Sequence, residues 1–233
     1  MKVYKNMEGR ETMLEQLKEE LVKIAKEAQR SGLCKHKSGN FSCRDREHNY
    51  VCITPAGVDR EVLTADDICV LNFDGNLIEV VNENRNPSSE SMMHIEVYKT
   101  RDDIFAIAHT HSKTATSFAV LKKEIPAIIY EVATLGLKNG VIPVADYHRP
   151  GTVGLSKSVI EPVRNADCFL LEKHGAVACG QTLEEAILRA HYIEELAEIY
   201  KITLDINRGV EPDVFKQEEL DAWRYPEDKI GKR

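Results

Sequence analysis

Apolar residues recur along this chain with two periods. Over 11–29, Leu14, Leu17, Leu21, Ile24 and Ala28 fall at alternating spacings of three and four, which places them on one stripe of a helix. Ser31-Gly32 then supplies a stop. Strand-like runs cover 50–54 and 68–73, the second closed by the turn Asp74-Gly75-Asn76. A helix is predicted after Pro87, capped by Ser88 or Ser89 and running to about residue 101. The apolar run Ile104-Phe105-Ala106-Ile107-Ala108 reads as a strand. A mostly apolar stretch, 127–138, reads as a helix ending at Asn139-Gly140, and 151–164 as another. A second apolar strand begins at Cys168, and a short one covers 176–179. Thr182-Leu183-Glu184-Glu185 is a capping box. It opens a long helix to about residue 202 with the stripe Leu183, Ala186, Ile187, Ala190, Ile193, Ala197 and Tyr200. Strands interleaved with helices predict one α/β domain over 1–233, with the polar tail 208–233 as a mobile segment.

Two of the apolar strands end in histidines. The first closes on His109-Thr110-His111, and residues i and i+2 of a strand share a face. Two desolvated imidazoles side by side are costly unless something holds them. A metal ion does so, and His174, after the second strand, is a third ligand. Three protein ligands leave one coordination position open, the arrangement of a catalytic zinc. The remaining His36, His48, His94, His148 and His191 read as bystanders. For His94, four residues beyond Glu90 on a predicted helix, a supporting position behind the metal is the alternative. The six cysteines contain no CxxC pair and read as thiols in a reducing cytoplasm.

Charge narrows the partners. Against 31 basic residues stand 38 acidic ones, a net charge of −7, with no basic cluster. Such a chain is poorly suited to duplex nucleic acid, though not to a small anion at a local site. No run approaches the roughly 20 apolar residues of a membrane span, and the opening residues lack the apolar core of a signal peptide.

Three segments are built to hold an anion. Ser38-Gly39-Asn40-Phe41-Ser42 combines glycine backbone with hydroxyl and amide groups. Thr54-Pro55-Ala56-Gly57 follows a strand and exposes backbone N–H groups. Pro87-Ser88-Ser89-Glu90 sets two hydroxyls at a helix N-terminus, where N–H groups and the dipole favour an anion. Glu90 in that first turn is either an ordinary N-terminal acid or a general base beside a metal.

Taken together, Gly39-Asn40, Thr54-Pro55-Ala56-Gly57, Pro87-Ser88-Ser89-Glu90, His109-Thr110-His111 and Lys173-His174-Gly175 resemble the class II aldolase/adducin family in order and spacing, over residues 11–202. Within the family they are most similar to the L-fuculose-1-phosphate aldolases. The resemblance implies a three-layer α/β/α domain around a mostly antiparallel central sheet. It implies a homotetramer with active sites between subunits, and Zn²⁺ on His109, His111 and His174. It implies a phosphate site on Gly39, Asn40, Ala56, Gly57, Ser88 and Ser89, with Glu90 as catalytic acid/base. Tyr130, by itself a core or interface aromatic, matches a tyrosine that such aldolases lend to the neighbouring site. The implied substrate is a phosphorylated ketose, cleaved reversibly to dihydroxyacetone phosphate and an aldehyde.

Two departures stand out. Many relatives carry a hydroxyl residue at the position of Ala56, and the tail aligns poorly, leaving Trp223 and Tyr225 as candidates for an aromatic that closes the site. Three rivals stay open. One is a 4-epimerase of L-ribulose 5-phosphate, although such relatives usually carry Asp at the position of Glu90. Another is an aldolase for a rhamnulose, methylthioribulose or deoxyribulose phosphate. The third is a metal-free, adducin-like interaction module, which the intact histidines and Glu90 disfavour.

Overall fold

A computed structural model of the chain describes residues 8–222. Eight strands form one sheet in the order β4-β3-β2-β1-β5-β10-β9-β8. They are β1 (Asn40–Arg44), β2 (Val51–Ile53), β3 (Cys69–Leu71), β4 (Leu77–Glu79), β5 (Ala106–Thr110), β8 (Val144–Ala145), β9 (Cys168–Leu171) and β10 (Gly175–Gly180). All neighbours pair antiparallel except β8 with β9. The strands β6 (Ile125–Pro126) and β7 (Val141–Ile142) make a separate pair.

Helices cover both faces. α1 (Glu8–Arg30), α3 (Lys113–Val120) and α6 (Leu183–Ile206) contribute Leu21, Ile24, Phe118, Ile187 and Leu196 to one core, which meets Phe41, Cys43, Ala106 and Ala108 of the sheet. α2 (Ser91–Thr100), α4 (Val153–Ser158) and α5 (Ile160–Asn165) supply Met93, Ile95, Leu155 and Val163 to a second core, which meets Ile53, Ile107, Phe169 and Val177. This is the expected three-layer α/β/α architecture around a mostly antiparallel sheet. Because both faces are covered, β5 is buried at every position and the strand side chains simply alternate between the cores. No described helix is long and apolar enough to cross a membrane.

Three expectations need correction. Residues 127–138 are not an α-helix. Ala127 donates to Gly140 O and accepts from Phe215 N, so its backbone belongs to sheet-like pairing. Only a 3₁₀ turn, Tyr130–Leu135, follows, and Gly136 in the left-handed region (φ +59°) ends it. Residues 151–164 form two helices, because Pro162 has no N–H for Ser158 O and its ring crowds that carbonyl. Thr152, not Gly151, starts the first by capping Leu155 N. The helix after Pro87 begins at Ser91 with Glu90 at its N-cap position, since Pro87 is held in an extended bridge to Pro55.

Two of the elements that the sequence pattern missed lie beside the histidines. The segment holding Asn40 is not a loop but the strand β1, and α3 follows His111 directly. Glu194 of α6 accepts the Thr114 and Ala115 N–H groups at 2.7 and 2.8 Å, which anchors the start of α3.

The tail is partly tied down. Phe215 and Gln217 bond Ala127 and Leu137, and α7 (Gln217–Ala222) follows. Trp223 and Tyr225 lie outside the described residues.

Candidate active site

Close strand packing brings three imidazoles to one point. His109 shares its face of β5 with Ile107, and His111 lies two residues on, just past the strand end. His174 sits in the β9–β10 hairpin, behind Lys173 at φ +55°. Two glycines permit the approach. A Cβ on Gly175 would lie 2.3 Å from Thr110 O and 3.2 Å from His109 Cε1. One on Gly39 (φ +73°) would lie 2.6 Å from His109 O.

The nitrogens are placed for a cation. Nε2 of His109 and Nε2 of His111 are 3.1 Å apart, and ligand atoms of all three histidines lie within 4.8 Å of one another. Tetrahedral ligands at about 2.0–2.1 Å from zinc would be separated by about 3.3 Å. His109 Nδ1 donates to Ala176 O at 3.0 Å, which leaves its Nε2 lone pair facing the other rings. Burial, with the neighbouring histidines, pushes His111 down to about 3 and His174 down to about 4, so both imidazoles are neutral near pH 7 and free to ligate a cation.

Glu90 completes the cluster from the start of α2, in the bridge region of backbone space (φ −97°, ψ 11°). Its Oε2 is 3.2 Å from His109 Nε2 and its Oε1 is 3.2 Å from His174 Nε2. Burial opposes ionisation, but the polar cluster around it, with a hydrogen bond from the Asn40 amide, holds the carboxyl below the usual range. Glu90 Oε1 is buried without a hydrogen-bond partner among the described residues. Converging imidazole lone pairs beside an ionised carboxylate with an unsatisfied oxygen fit a divalent metal.

The three segments that the sequence marks for an anion are knitted together. Thr54 N donates to Phe41 O and Phe41 N to Thr54 Oγ1, while Ala56 N donates to Asn86 O. Gly57 follows in the left-handed region (φ +68°). Ser88 is nearly buried, and its Oγ accepts the Glu90 N–H at 3.3 Å. Ser89 O lies against Gly151, where a Cβ would come within 3.1 Å. The side chain of Asn40 donates to Glu90 Oε2 at 2.7 Å. Tyr130 opens the 3₁₀ turn and is more than half exposed.

The site also contains residues the spacing left aside. His94 is fully buried and contacts Asn40 and Ser42, and Ser42 contacts the Tyr98 hydroxyl. The signal was present in the sequence: Glu90, His94 and Tyr98 are spaced i, i+4, i+8 on one helix face.

Comparison with known proteins agrees with this geometry. Residues 19–201 match the model of the class II aldolase and adducin N-terminal domain. The chain is 35% identical over 209 residues to a 5-deoxy-D-ribulose 1-phosphate aldolase of Bacillus thuringiensis serovar kurstaki, covering 90% of this chain and 94% of that one. It is also 35% identical over 204 residues to the L-fuculose phosphate aldolase of Escherichia coli K12, covering 88% and 90% respectively. A solved L-fuculose 1-phosphate aldolase superposes with a TM-score of 0.82 at 35% identity, over 88% of this chain and 93% of the other. By sequence and by fold, this chain belongs to the class II aldolase/adducin family.

Proposed function

We propose that the protein is a zinc-dependent aldolase that reversibly cleaves L-fuculose 1-phosphate to dihydroxyacetone phosphate and L-lactaldehyde. The observation that carries this reading is the convergence of His109, His111 and His174 beside Glu90. Bound by the three histidines, the metal supplies Lewis-acid stabilisation for the negative charge left on the three-carbon fragment. Asn40, Gly57, Ser88 and Ser89, in the segments that also carry Gly39 and Ala56, hold the phosphate and thereby orient the bond that breaks. Breaking C3–C4 leaves its electron pair on C3, and Glu90 delivers a proton there. The C4 hydroxyl loses its proton as the aldehyde forms, assisted by Tyr130 from a neighbouring subunit of a homotetramer. The exposure of Tyr130 supports that sharing. The described cysteines are all unpaired, in keeping with a cytoplasmic enzyme.

A second reading is favoured by the relative named for 5-deoxy-D-ribulose 1-phosphate. That ketose presents the same phosphate end and differs in the aldehyde fragment, which few contacts read. Release of dihydroxyacetone phosphate from each ketose phosphate, with and without a chelator, separates the two. Chelator-sensitive release with higher kcat/KM on L-fuculose 1-phosphate supports the first. Release only from the 5-deoxy ketose replaces it with the second, and release from neither by zinc-loaded protein rejects both.

A further inference from the structure

Behind Glu90 and Asn40 runs a chain of buried polar side chains, His94, Ser42 and Tyr98, that the reaction scheme above does not use. Glu90, His94 and Tyr98 lie on one face of α2, four residues and about 6 Å apart. Opposite them, Asn40 and Ser42 lie on one face of β1, two residues and about 6.7 Å apart. The near match of these repeats lets helix and strand interlock polar group by polar group. Tyr98 hydroxyl meets Ser42 Oγ at 2.7 Å, and Ser42 Oγ meets His94 Nδ1 at 2.7 Å. His94 Nε2 meets Asn40 Oδ1 at 2.5 Å, and Asn40 Nδ2 meets Glu90 Oε2 at 2.7 Å. His94 and Ser42 are fully buried and Asn40 nearly so.

The donors can be assigned in one direction only. An ionised Glu90 accepts and does not donate, so the amide of Asn40 must turn its NH₂ toward it. Asn40 Oδ1 then needs a donor, and His94 Nε2–H is the group that faces it. A neutral imidazole carries one proton, so His94 Nδ1 accepts from the Ser42 hydroxyl. Ser42 in turn accepts from Tyr98. Burial keeps His94 neutral and the Tyr98 hydroxyl protonated, as this direction requires.

We propose that His94 is a positioning residue for proton transfer: its Nε2–H fixes the Asn40 amide, and the amide fixes the Glu90 carboxylate at the reacting carbon. This rests on Glu90 being the acid/base of the reaction proposed above. Without the His94 donor, Asn40 Oδ1 is left unsatisfied in a buried place and the amide loses the contact that fixes its plane, so its NH₂ no longer holds the carboxylate in one orientation. That loss moves none of the three histidines, and of the phosphate segments it moves only the Asn40 amide. A role confined to core stability would lower stability without changing turnover per folded molecule.

The experiment compares His94→Phe, His94→Gln and Glu90→Gln in the zinc-loaded full chain. The readouts are kcat and KM for cleavage, hydrogen exchange at the reacting carbon of dihydroxyacetone phosphate, and zinc content. His94→Phe is expected to lower kcat and exchange together by about 10–100-fold, the scale known for groups standing behind a site's ligands. Zinc content stays at the parent level, because His94 bonds Asn40 and Ser42 rather than the three histidines, and KM changes less than kcat. His94→Gln keeps an N–H for Asn40 and recovers most of the loss. Wild-type exchange in His94→Phe, with exchange lost in Glu90→Gln, overturns the positioning role and leaves Glu90 in place. Wild-type exchange in Glu90→Gln instead removes the reading on which the proposal rests. If His94→Phe does not fold, nitrogen NMR of histidine-labelled wild-type protein decides, with His94 identified by its absence from the His94→Gln spectrum. Protonation at Nε2 supports the proposal, and protonation at Nδ1 overturns it.

Discussion

Two charged clusters sit at opposite ends of the paired strands β5 and β10, and they are built on opposite rules. At the end where β5 begins, Arg101 bonds Asp103 and Asp167, and Arg189 meets Asp167 and Glu185. The remaining guanidinium donors go to main-chain carbonyls, including Cys179 O and Thr134 O. Asp103 and Asp167 hold Arg101 above its ordinary range against the cost of burial. Every charge there has its counter-charge. At the other end, three imidazoles crowd one carboxylate, two ring nitrogens face each other at 3.1 Å, and Glu90 Oε1 has no hydrogen-bond partner among the described residues. The first cluster is complete and holds the sheet to α6. The second is complete only with a cation and a substrate, so unsatisfied polar atoms separate a functional cluster from a structural one here.

That contrast is open to direct attack. The largest effect is expected at the histidine end. Replacing His109 by Ala, or treating the protein with a chelator, should reduce aldol cleavage to background, and zinc should restore only the chelated wild type. Glu90→Gln comes next, with a loss of about 10²–10⁴-fold in cleavage and in exchange on dihydroxyacetone phosphate, zinc content being retained. Tyr130→Phe should slow cleavage more than exchange, because it acts on the C4 hydroxyl alone. Equal losses would make Tyr130 structural.

At the other end the sign of the result reverses. Asp167→Ala leaves Arg101 and Arg189 short of a partner in a partly buried setting, and about 1–3 kcal/mol of stability should go. Denaturant midpoints would register this, while turnover per folded molecule stays at the wild-type level. A drop in turnover larger than the drop in folded protein would mean that the two ends are coupled. The smallest effect concerns acid. Burial holds His94 down to about 3, whereas the unfolded chain titrates near 6.5. Stability from this group is therefore full above about pH 6.5 and shrinks as pH falls toward 3, because the unfolded state binds the extra proton. His94→Gln should lower the slope of stability against pH in that window by about one proton.

Much of the site could be read along the chain because its parts are local. The pair His109 and His111 announced itself by strand periodicity, and His174 by the end of a second apolar run. Glu90 was marked by the Ser-Ser-acid motif beside it. The misread segments failed where long-range contacts overrode local pattern. Residues 127–138 carry helical apolar spacing, but pairing of Ala127 with Gly140 and Phe215 draws them into another shape. Strand β1 hid because Asn40 and Ser42 are polar, and polar residues at alternate positions read as a loop or an exposed face. Here that face is buried against α2, and His94 looked incidental because its partner Asn40 lies 54 residues away.

The sequence by itself determined the α/β class and singled out three histidines and an acid, since periods of 2.0 and 3.6 residues and short motifs are local properties. Only the tertiary structure decided that these groups meet. The β1–β5–β10 register sets Asn40 and Val177 directly opposite His109. The packing of α2 on β1 then gives His94 and Asn40 their roles behind Glu90. Register and interlayer packing join residues far apart in the chain, and the free energy that selects them comes from burying two cores at once, which no local pattern encodes.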